Sequence, residues 1–294
     1  MRVLFEIYHP AQVHLFKGLI SYLRTNGHAV TVVTKDKDLT NRLLDGLGIP
    51  YRCLSGMSGG LVQLGSELAL RDWRLFRLHQ ELDFQIAFGS SVSICHLSAL
   101  TGVPSVNFCE DDDAIVKLYA RIAYPFATHI VHPQGLRAEG FAEKRIFHPS
   151  YQKLAYLHPN TFEPSESIVR SYGLEPGTYS ILRRSAYTAF HDQGQGGFND
   201  ALLAEVLGRL ESGPIVKSVE NAQSHEIDPS DMHHLLGHAR LVVCDSQSMA
   251  VEAAVLGVPS VRISSFAGQL SILNEIEDRY RLSYGFRPDQ GNAF

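Results

Sequence analysis

The sequence predicts an α/β fold made of two doubly wound, Rossmann-like domains that face each other across a cleft. Apolar runs of strand length alternate with stretches of helical period along the chain. The alternation is interrupted once, by a segment at residues 151–164 that is typical of a linker. The 294 residues are enough for two domains of ordinary size. Strands that alternate with helices favour parallel sheets covered on both faces.

The first domain is predicted over residues 1–150. Its strands are "RVLFEIY", "HAVTVVT", "DFQIAFG", "PSVNFC" and "ATHIVHP". Its helices include "HLFKGLISYLRTNG", which has an apolar stripe and ends at a good Asn-Gly stop, "DLTNRLLDGLG" and "VSICHLSALTG". Between residues 53 and 80 the glycines indicate a loop that leads into one or two helices.

The second domain is predicted over residues 165–294. Its strands are "TYSILRR", "PIVKSV", "LVVCDS" and "PSVRIS", and helical segments follow or separate them, ending with "QLSILNEIEDRYR". Ligands of such folds bind beyond the carboxyl ends of the strands, and with two domains the natural site is the cleft between them. The loops that follow strands are therefore the candidate site.

The composition of the chain limits the classes of function that it can have. A formal charge of −5 argues against a general nucleic-acid binder. The four cysteines lack zinc-ligand spacing and favour buried thiols in a reducing compartment. The first strand leaves no room for a signal peptide, and no apolar run is long enough to span a bilayer. We expect a cytoplasmic protein, either free or in peripheral contact with the inner face of the membrane.

The loop after the first strand, "HPAQVH", carries the first candidate groups. A helix that begins near Val13 would point its N–H groups and its dipole at the cleft, which favours an anion there. His14 would lie in the first turn, where a histidine can act as a general base. The alternative is a polar loop in which His9 or Gln12 caps the helix. We take His14 as a catalytic candidate, and His9 and Gln12 as substrate-binding candidates.

Two other loops of the first half follow strands. In "FGSSVS", small residues allow close approach of a backbone or a ligand, or Ser90 or Ser91 simply caps a helix. In "FCEDDDAIVK", an Asp-x-Asp pattern can hold a divalent metal, but acidic residues at a helix start are also ordinary partners of the helix dipole. We predict no metal site, and we take Glu110, nearest the strand end, as a catalytic candidate.

The densest polar stretch of the second half is "ILRRSAYTAFHDQGQGGFND". Arg183 and Arg184 lie at a strand end, and arginine forks match phosphate oxygens. The glycine-rich loop, including Gly196, can add backbone N–H groups, although its glycines match neither common nucleotide fingerprint. His191 is a catalytic candidate, and Asp192 is a substrate-binding one.

A last strand runs into "CDSQSMAVEAAVLGVPSV". Ser246 and Ser248 can cap the helix that begins here or bind phosphate. Glu252 falls further along that helix, where a carboxylate can accept hydrogen bonds from a ribose diol. The alternative is a capped, Ala-rich helix packed on the sheet. The substrate-binding candidates of this stretch are Ser246, Gln247, Ser248, Met249 and Glu252.

The stretch "HHLLGHARLVVCDSQSMAVEAAVLGVPSVRI" resembles the nucleotide-sugar half of GT-B glycosyltransferases and of UDP-N-acetylglucosamine 2-epimerases. The resemblance implies a GT-B-like fold, a turn at Ser246 and Ser248 that holds a diphosphate, and Glu252 on the ribose. Over nearly its whole length the chain resembles the domain of unknown function 354 family. The shared motifs are "HPAQVHLFKGLI", "KLAYLHPNTF", "RRSAYTAFHDQGQGG", "DSQSMAVEAAVLG" and "ILNEIEDRYRL".

"VHLFKGLISYL" also resembles the first loop and helix of the peptidoglycan glycosyltransferase that adds N-acetylglucosamine to a lipid carrier, with His14 at the matching histidine. "HPAQ" replaces the Gly-rich run of that enzyme, and it also replaces the Arg-Pro-Glu loop of the epimerases. These resemblances imply a glycosyltransferase that takes a nucleotide-sugar, UDP-linked, as its substrate and needs no cofactor. The acceptor would be lipid-linked or a cell-surface polysaccharide.

Two alternatives remain open at this point. One is an epimerase on the same fold, with Glu110, Asp111 and His191 as its acids and bases. The other is a relative that binds a nucleotide-sugar without turnover.

Overall fold

The computed structural model describes residues 1–36, 38–56, 61–184, 200–210, 213–219 and 227–288. Its internal contacts divide the chain into two compact units, Met1–Ala155 and Tyr156–Phe294. They are called the first and the second unit below.

The first unit is built on a parallel sheet of seven strands in the order β3-β2-β1-β4-β5-β6-β7. The strands are β1 (Arg2–Ile7), β2 (Ala29–Lys35), β3 (Arg52–Ser55), β4 (Ile86–Gly89), β5 (Ser105–Phe108), β6 (His129–Pro133) and β7 (Arg145–His148). The predicted doubly wound α/β architecture is confirmed for this half.

Helices cover both faces of this sheet. They are α1 (Pro10–Thr25), α2 (Asp38–Gly46), α3 (Leu61–Leu82), α4 (Val92–Thr101) and α5 (Lys117–Ala123), with 3-10 turns at Tyr124–Phe126 and Ala142–Lys144. Successive side chains of β1 point to opposite faces of the sheet, so they belong to two separate buried clusters. Val3 and Phe5 pack with α1 and α2, whereas Leu4 packs with α3 and α4. The sheet is therefore buried on both sides, as its apolar strands require.

Helix α1 begins at Pro10, three residues before the predicted start near Val13. Proline at the first helical position loses no hydrogen bond, because that N–H has no partner within the helix. His9 is the N-cap, and its Nδ1 accepts a hydrogen bond from Ala11 N at 3.2 Å. The expectation that His14 lies in the first turn is therefore wrong, because His14 is the fifth helical residue.

Two strands of this half were not predicted. β3 is four residues long and follows "GIPY", and β7 lies within "EKRIFHPS", beyond the expected last strand. Both are edge strands with exposed positions, so they lack the continuous apolar run that marks the central strands. The stretch between residues 53 and 80, for which a loop and one or two helices were expected, includes most of a single helix of 22 residues, α3.

The second unit contains a parallel sheet of five strands in the order β12-β11-β10-β8-β9. The strands are β8 (Ser180–Arg184), β9 (Ile215–Val219), β10 (Leu241–Cys244), β11 (Ser260–Ile263) and β12 (Ser283–Phe286). The first four match predicted strands, and β12, which contains a glycine and two polar residues, was not predicted.

The helices of this region are α6 (Leu154–Leu157), α7 (Glu166–Ser171), α8 (Asp200–Arg209), α9 (Met232–Gly237), α10 (Gln247–Val255) and α11 (Ser271–Glu275). A π-helical turn at Ile276–Tyr280 continues α11. A buried cluster joins β8, β10 and β11 to α8 through Leu182, Val243, Ile263, Leu202 and Val206. The predicted α/β architecture is thus confirmed for this half as well.

Three of the four cysteines are buried, as predicted, whereas Cys53 is exposed. Burial raises the pKa of the Cys95, Cys109 and Cys244 thiols to about 12, so these side chains are neutral near pH 7. Within the described ranges, no helix is both long enough and apolar enough to cross a bilayer.

Candidate functional site

Each sheet has one point at which the strand order reverses. In the first unit it lies between β1 and β4, and in the second between β8 and β10. Ligands of doubly wound folds bind in the crevice beyond the carboxyl ends of the strands at such a point. The residues that follow these strands therefore define the candidate site of each unit.

At the reversal point of the first unit, Glu6 of β1 is fully buried. The hydroxyls of Tyr8 and Ser91 donate to its carboxylate, and Ile94 N donates to Oε2 at 3.2 Å. On the neighbouring strand, a Cβ at Gly89 would lie 2.9 Å from the carbonyl oxygen of Glu6, so only glycine fits there. At Gly89, the small residue of "FGSSVS" thus allows the close approach of the β1 backbone.

Arg71 of α3 links this carboxylate to a wider polar network. Its Nε lies 3.9 Å from Glu6 Oε1 and donates to Ser93 Oγ at 2.9 Å. Its guanidinium also stacks 4.7 Å from the centre of the Tyr8 ring and donates to Glu67 Oε1 at 3.1 Å. The network ties the end of β1 to α3 and α4 without exposing its charges.

Burial raises the pKa of Glu6 to about 7, and the nearby Arg71 opposes the shift. The carboxyl group therefore titrates near neutral pH while it lies out of contact with solvent. It also occupies the amino terminus of α4, where Ser91 is the N-cap. The Glu6 carboxyl group therefore takes the place at this helix start that an anionic ligand could occupy. The expected alternative, in which Ser91 caps the helix, is confirmed.

The three candidates around α1 have distinct environments. His9 caps the helix, and Gln12 Oε1 accepts a hydrogen bond from Tyr8 N at 2.7 Å. His14 is 9% exposed and lies between Val13 and Phe16, which belong to the core. The loop is therefore held by His9 and Gln12, while their substrate-binding role and the catalytic role of His14 stay predictions.

Glu110 follows β5 and pairs with Lys153, whose side chain is 2% exposed. The Glu110 side chain is 24% exposed, so it is the more accessible partner. Burial lowers the pKa of His148, at the end of β7, and the negative charge of Glu110 opposes the shift. A carboxylate, an ammonium group and an imidazole thus gather at the carboxyl edge of the sheet.

Two of the three acidic residues after Glu110, Asp112 and Asp113, hold the backbone of a neighbouring loop, whereas the proposed role of Asp111 stays a prediction. Asp112 Oδ1 accepts from Arg137 N at 2.7 Å, and Asp113 Oδ2 accepts from Glu139 N at 2.7 Å and from the guanidinium of Arg145. They anchor the loop between β6 and β7, and helix α5 begins only at Lys117. Among the described residues, no group of three or more His, Cys, Asp or Glu side chains could hold a metal ion.

The second unit brings several candidates together at the β10–α10 junction. Ser246 is the N-cap of α10, and its hydroxyl accepts a hydrogen bond from Met249 N at 3.3 Å. Glu252 lies in the second turn of the same helix and is 8% exposed. Tyr156 donates to Glu252 Oε1 at 2.7 Å, and His233 Nε2 lies 3.4 Å from the same oxygen. The junction thus combines a helix amino terminus with a held carboxylate.

Arg183 and Arg184 end β8, the neighbour of β10 across the reversal point. Arg183 Nη1 donates to Ser218 Oγ at 2.7 Å, which holds its guanidinium against the neighbouring strand β9. His191, Asp192 and Gly196 lie outside the described residues.

Sequence reasoning missed Glu6, Arg71, Lys153, Tyr156 and His233. Glu6 was recognisable in the sequence, because an acidic residue within the apolar run "RVLFEI" indicates a buried carboxylate that has polar partners. The others come from segments whose spacing does not reveal their partners, such as the predicted linker that contains Lys153 and Tyr156.

Solved structures with a similar fold include UDP-GlcNAc 2-epimerases and a forosaminyltransferase. The UDP-GlcNAc 2-epimerase of Methanocaldococcus jannaschii in complex with UDP-GlcNAc and UDP has a TM-score of 0.69 at 9% identity, covering 98% of this chain and 89% of the other. The enzyme of Neisseria meningitidis bound to UDP-GlcNAc has a TM-score of 0.66 at 10% identity, covering 89% and 82%. The spinosyn forosaminyltransferase SpnP has a TM-score of 0.64 at 13% identity, covering 98% and 86%.

These likenesses confirm the predicted GT-B-like fold class, in which two Rossmann-like halves form one chain. No protein-family model matches the sequence, and no curated protein matches it either. The resemblance to the domain of unknown function 354 family therefore stays a prediction.

Proposed function

We propose that this chain is a glycosyltransferase that uses a UDP-linked sugar as donor. The observation that carries the proposal is the β10–α10 junction, where Ser246 caps a helix and Glu252 lies buried in the second turn. The N–H groups of a helix start suit a diphosphate, and a carboxylate suits the ribose diol. The epimerases of the same fold that were solved with UDP-GlcNAc or UDP support this choice of nucleotide.

The leaving diphosphate needs positive charge as the glycosidic bond breaks. In this proposal Arg183, Arg184 and the start of α10 supply it, so the donor is a substrate and no cofactor takes part. The hydroxyls of Ser246 and Ser248 and the first-turn residues Gln247 and Met249 surround the phosphates.

The acceptor hydroxyl must lose a proton as it attacks the anomeric carbon. We assign this proton to His14, because an imidazole can act as general base near neutral pH. The acceptor is a glycan or a lipid-linked sugar of the cell surface. Glu110 would bind or orient this acceptor, because it is a partly exposed carboxylate at the carboxyl edge of the first sheet.

Two variants separate binding from chemistry. Glu252→Gln should weaken UDP binding about ten- to hundredfold, because a hydrogen bond to a charged group is worth about 1.5–3 kcal/mol. His14→Ala should leave the Kd for UDP unchanged and lower turnover about 10²- to 10⁴-fold, the usual contribution of a general base. Isothermal titration with UDP and a transfer assay with UDP-sugars and a panel of acceptors measure both quantities.

Glu166→Gln is the matched control, because Glu166 is an exposed acid of the second unit in an i,i+4 pair with Arg170. It should change neither quantity. Unaltered UDP affinity in Glu252→Gln would place the nucleotide elsewhere. If His14→Ala transfers sugar at the wild-type rate, His14 is not the general base, and the proposed donor site is unaffected by that result. Saturable UDP binding with no turnover on any acceptor would favour a binding protein instead.

One observation favours a second function, epimerisation of the sugar at C2. Glu110, Lys153 and His148 bring acid and base groups together in the first unit, and epimerisation needs both. Incubation with UDP-N-acetylglucosamine in deuterated water, without any acceptor, separates the two functions. Deuterium at C2 supports the epimerase, whereas sugar transfer that strictly requires an acceptor, with no exchange at C2, supports the glycosyltransferase.

A further inference from the structure

Glu252 is the one acidic residue of helix α10, and its buried side chain lies among small and apolar neighbours. The other buried residues of this helix are Met249, Ala250, Val251, Ala253 and Ala254. A carboxylate in such surroundings requires polar partners, because a buried charge without them destabilises the fold. The partners of Glu252 therefore determine how its carboxylate can meet a ligand.

Two aromatic side chains meet this carboxylate on the same oxygen atom. The Tyr156 hydroxyl donates to Oε1 at 2.7 Å, and His233 Nε2 lies 3.4 Å from that oxygen. The two rings also pack against each other, with 5.4 Å between their centres. The last torsion of a glutamate side chain is broad when nothing restrains it. Two contacts on Oε1 restrain this torsion, so they also fix the direction in which Oε2 points.

Tyr156 is itself held in place, because the segment that follows it packs on helix α9. Tyr156 is buried, and the ring of Phe162 lies 6.1 Å from that of His233 and 4.9 Å from that of His234. The backbone N–H of Ser165 donates to His234 Nδ1 at 3.0 Å. Much of the stretch that the sequence predicts as a linker is thus anchored on α9, and it brings the phenol to Glu252.

We propose that Tyr156 is a positioning residue, which orients the Glu252 carboxylate for the ribose diol and makes the site selective for ribonucleotides. The inference rests on the proposed donor site at the β10–α10 junction. A carboxylate has about four acceptor positions, so it can accept hydrogen bonds from a tyrosine and from a diol together. A group that is oriented before the ligand arrives loses less freedom on binding. The orientation therefore adds affinity for ligands that carry the diol, and for those alone.

Isothermal titration of the full chain with UDP and with 2′,3′-dideoxy-UDP tests this selectivity. The wild type should bind UDP about ten- to hundredfold more tightly, the usual strength of hydrogen bonds to a charged group. Tyr156→Phe removes one hydroxyl and should lower this ratio about fivefold, the usual net contribution of one hydrogen bond. Its Kd for dideoxy-UDP should stay within about twofold of the wild-type value, because that ligand has no diol. A purely structural role of Tyr156 would weaken both ligands alike and leave the ratio unchanged.

A double-mutant cycle tests whether Tyr156 acts through Glu252. In the background of Glu252→Gln, the change Tyr156→Phe should have no further effect on the ratio, because the carboxylate that the phenol orients is already gone. Tyr119→Phe is the matched control, since the Tyr119 hydroxyl also donates over 2.7 Å, to Asn107 Oδ1 in the first unit. It should leave both dissociation constants unchanged. Thermal melting checks that all variants fold.

Three results would overturn the role of Tyr156. One is a wild-type ratio in Tyr156→Phe, and another is a higher ratio, because the phenol would then compete with the ribose. The third is an additive loss in the double variant. If Glu252→Gln itself keeps the wild-type ratio, the proposed donor site is wrong and this inference falls with it. A ratio that falls in Glu252→Gln but not in Tyr156→Phe contradicts the positioning role alone.

Discussion

Replacement of Arg145 by methionine should lower the free energy of unfolding by about 3–5 kcal/mol, the usual cost of removing one partner from a buried ion pair. The side chains of Arg145 and Asp113 are only 2% and 6% exposed. Arg145 also donates to His132 Nε2 at 2.6 Å and to the carbonyl of Gly140 at 2.8 Å. The variant would leave the Asp113 carboxylate buried without its guanidinium, in the loop region that follows Glu110.

Urea denaturation at neutral pH measures this loss. Arg279→Met is the matched control, because Arg279 is 69% exposed, and its free energy of unfolding should stay within about 0.5 kcal/mol of the wild type. Adding Asp113→Asn to Arg145→Met should recover part of the loss, because it removes the uncompensated charge. If Arg145→Met unfolds at the wild-type urea concentration, the pair does not hold this region.

The predicted fold depended on the central strands, whose apolar runs are nearly continuous because helices cover both sheet faces. "RVLFEIY" and "LVVCDS" therefore mark β1 and β10 almost to the residue. β3, β7 and β12 lie at sheet edges, where exposed positions interrupt the apolar pattern. The start of α1 was misplaced although Pro10 is a recognised signal for the first helical position.

The candidate site was predictable where a candidate residue also has a local structural role. Ser246 is recognisable because a serine that follows a strand and precedes an apolar helix is a natural N-cap. The partners of Glu252 were not recognisable, because Tyr156 and His233 come from distant segments and meet it only in the folded unit. Pairing at long sequence separation leaves no spacing pattern, and the same holds for Lys153 and Glu110.

As the pH rises from 4.5 to 7, the free energy of unfolding of the wild type should fall by about 3 kcal/mol relative to that of Glu6→Gln. Burial raises the pKa of Glu6 from 4.5 in the unfolded chain to about 7 in the folded one. Between these values the folded state holds a proton that the unfolded state has released, so the contribution of Glu6 to stability is full below pH 4.5 and is lost as the pH rises towards 7. The shift of 2.5 pKa units, at about 1.4 kcal/mol each, gives this magnitude.

The glutamine variant keeps the shape of the side chain but cannot titrate, so the difference between the two proteins isolates this one group. Urea denaturation of both at several pH values measures it. Glu166→Gln is the control of opposite sign: the hydrogen bond from Arg170 lowers the pKa of Glu166, so its small contribution is present at high pH and lost as the pH falls. A Glu6→Gln difference that stays constant over the whole range would mean that the carboxylate is ionised in the folded chain. In that case Arg71 and the amino terminus of α4 would outweigh burial, and this reversal point would hold a fixed negative charge rather than a proton.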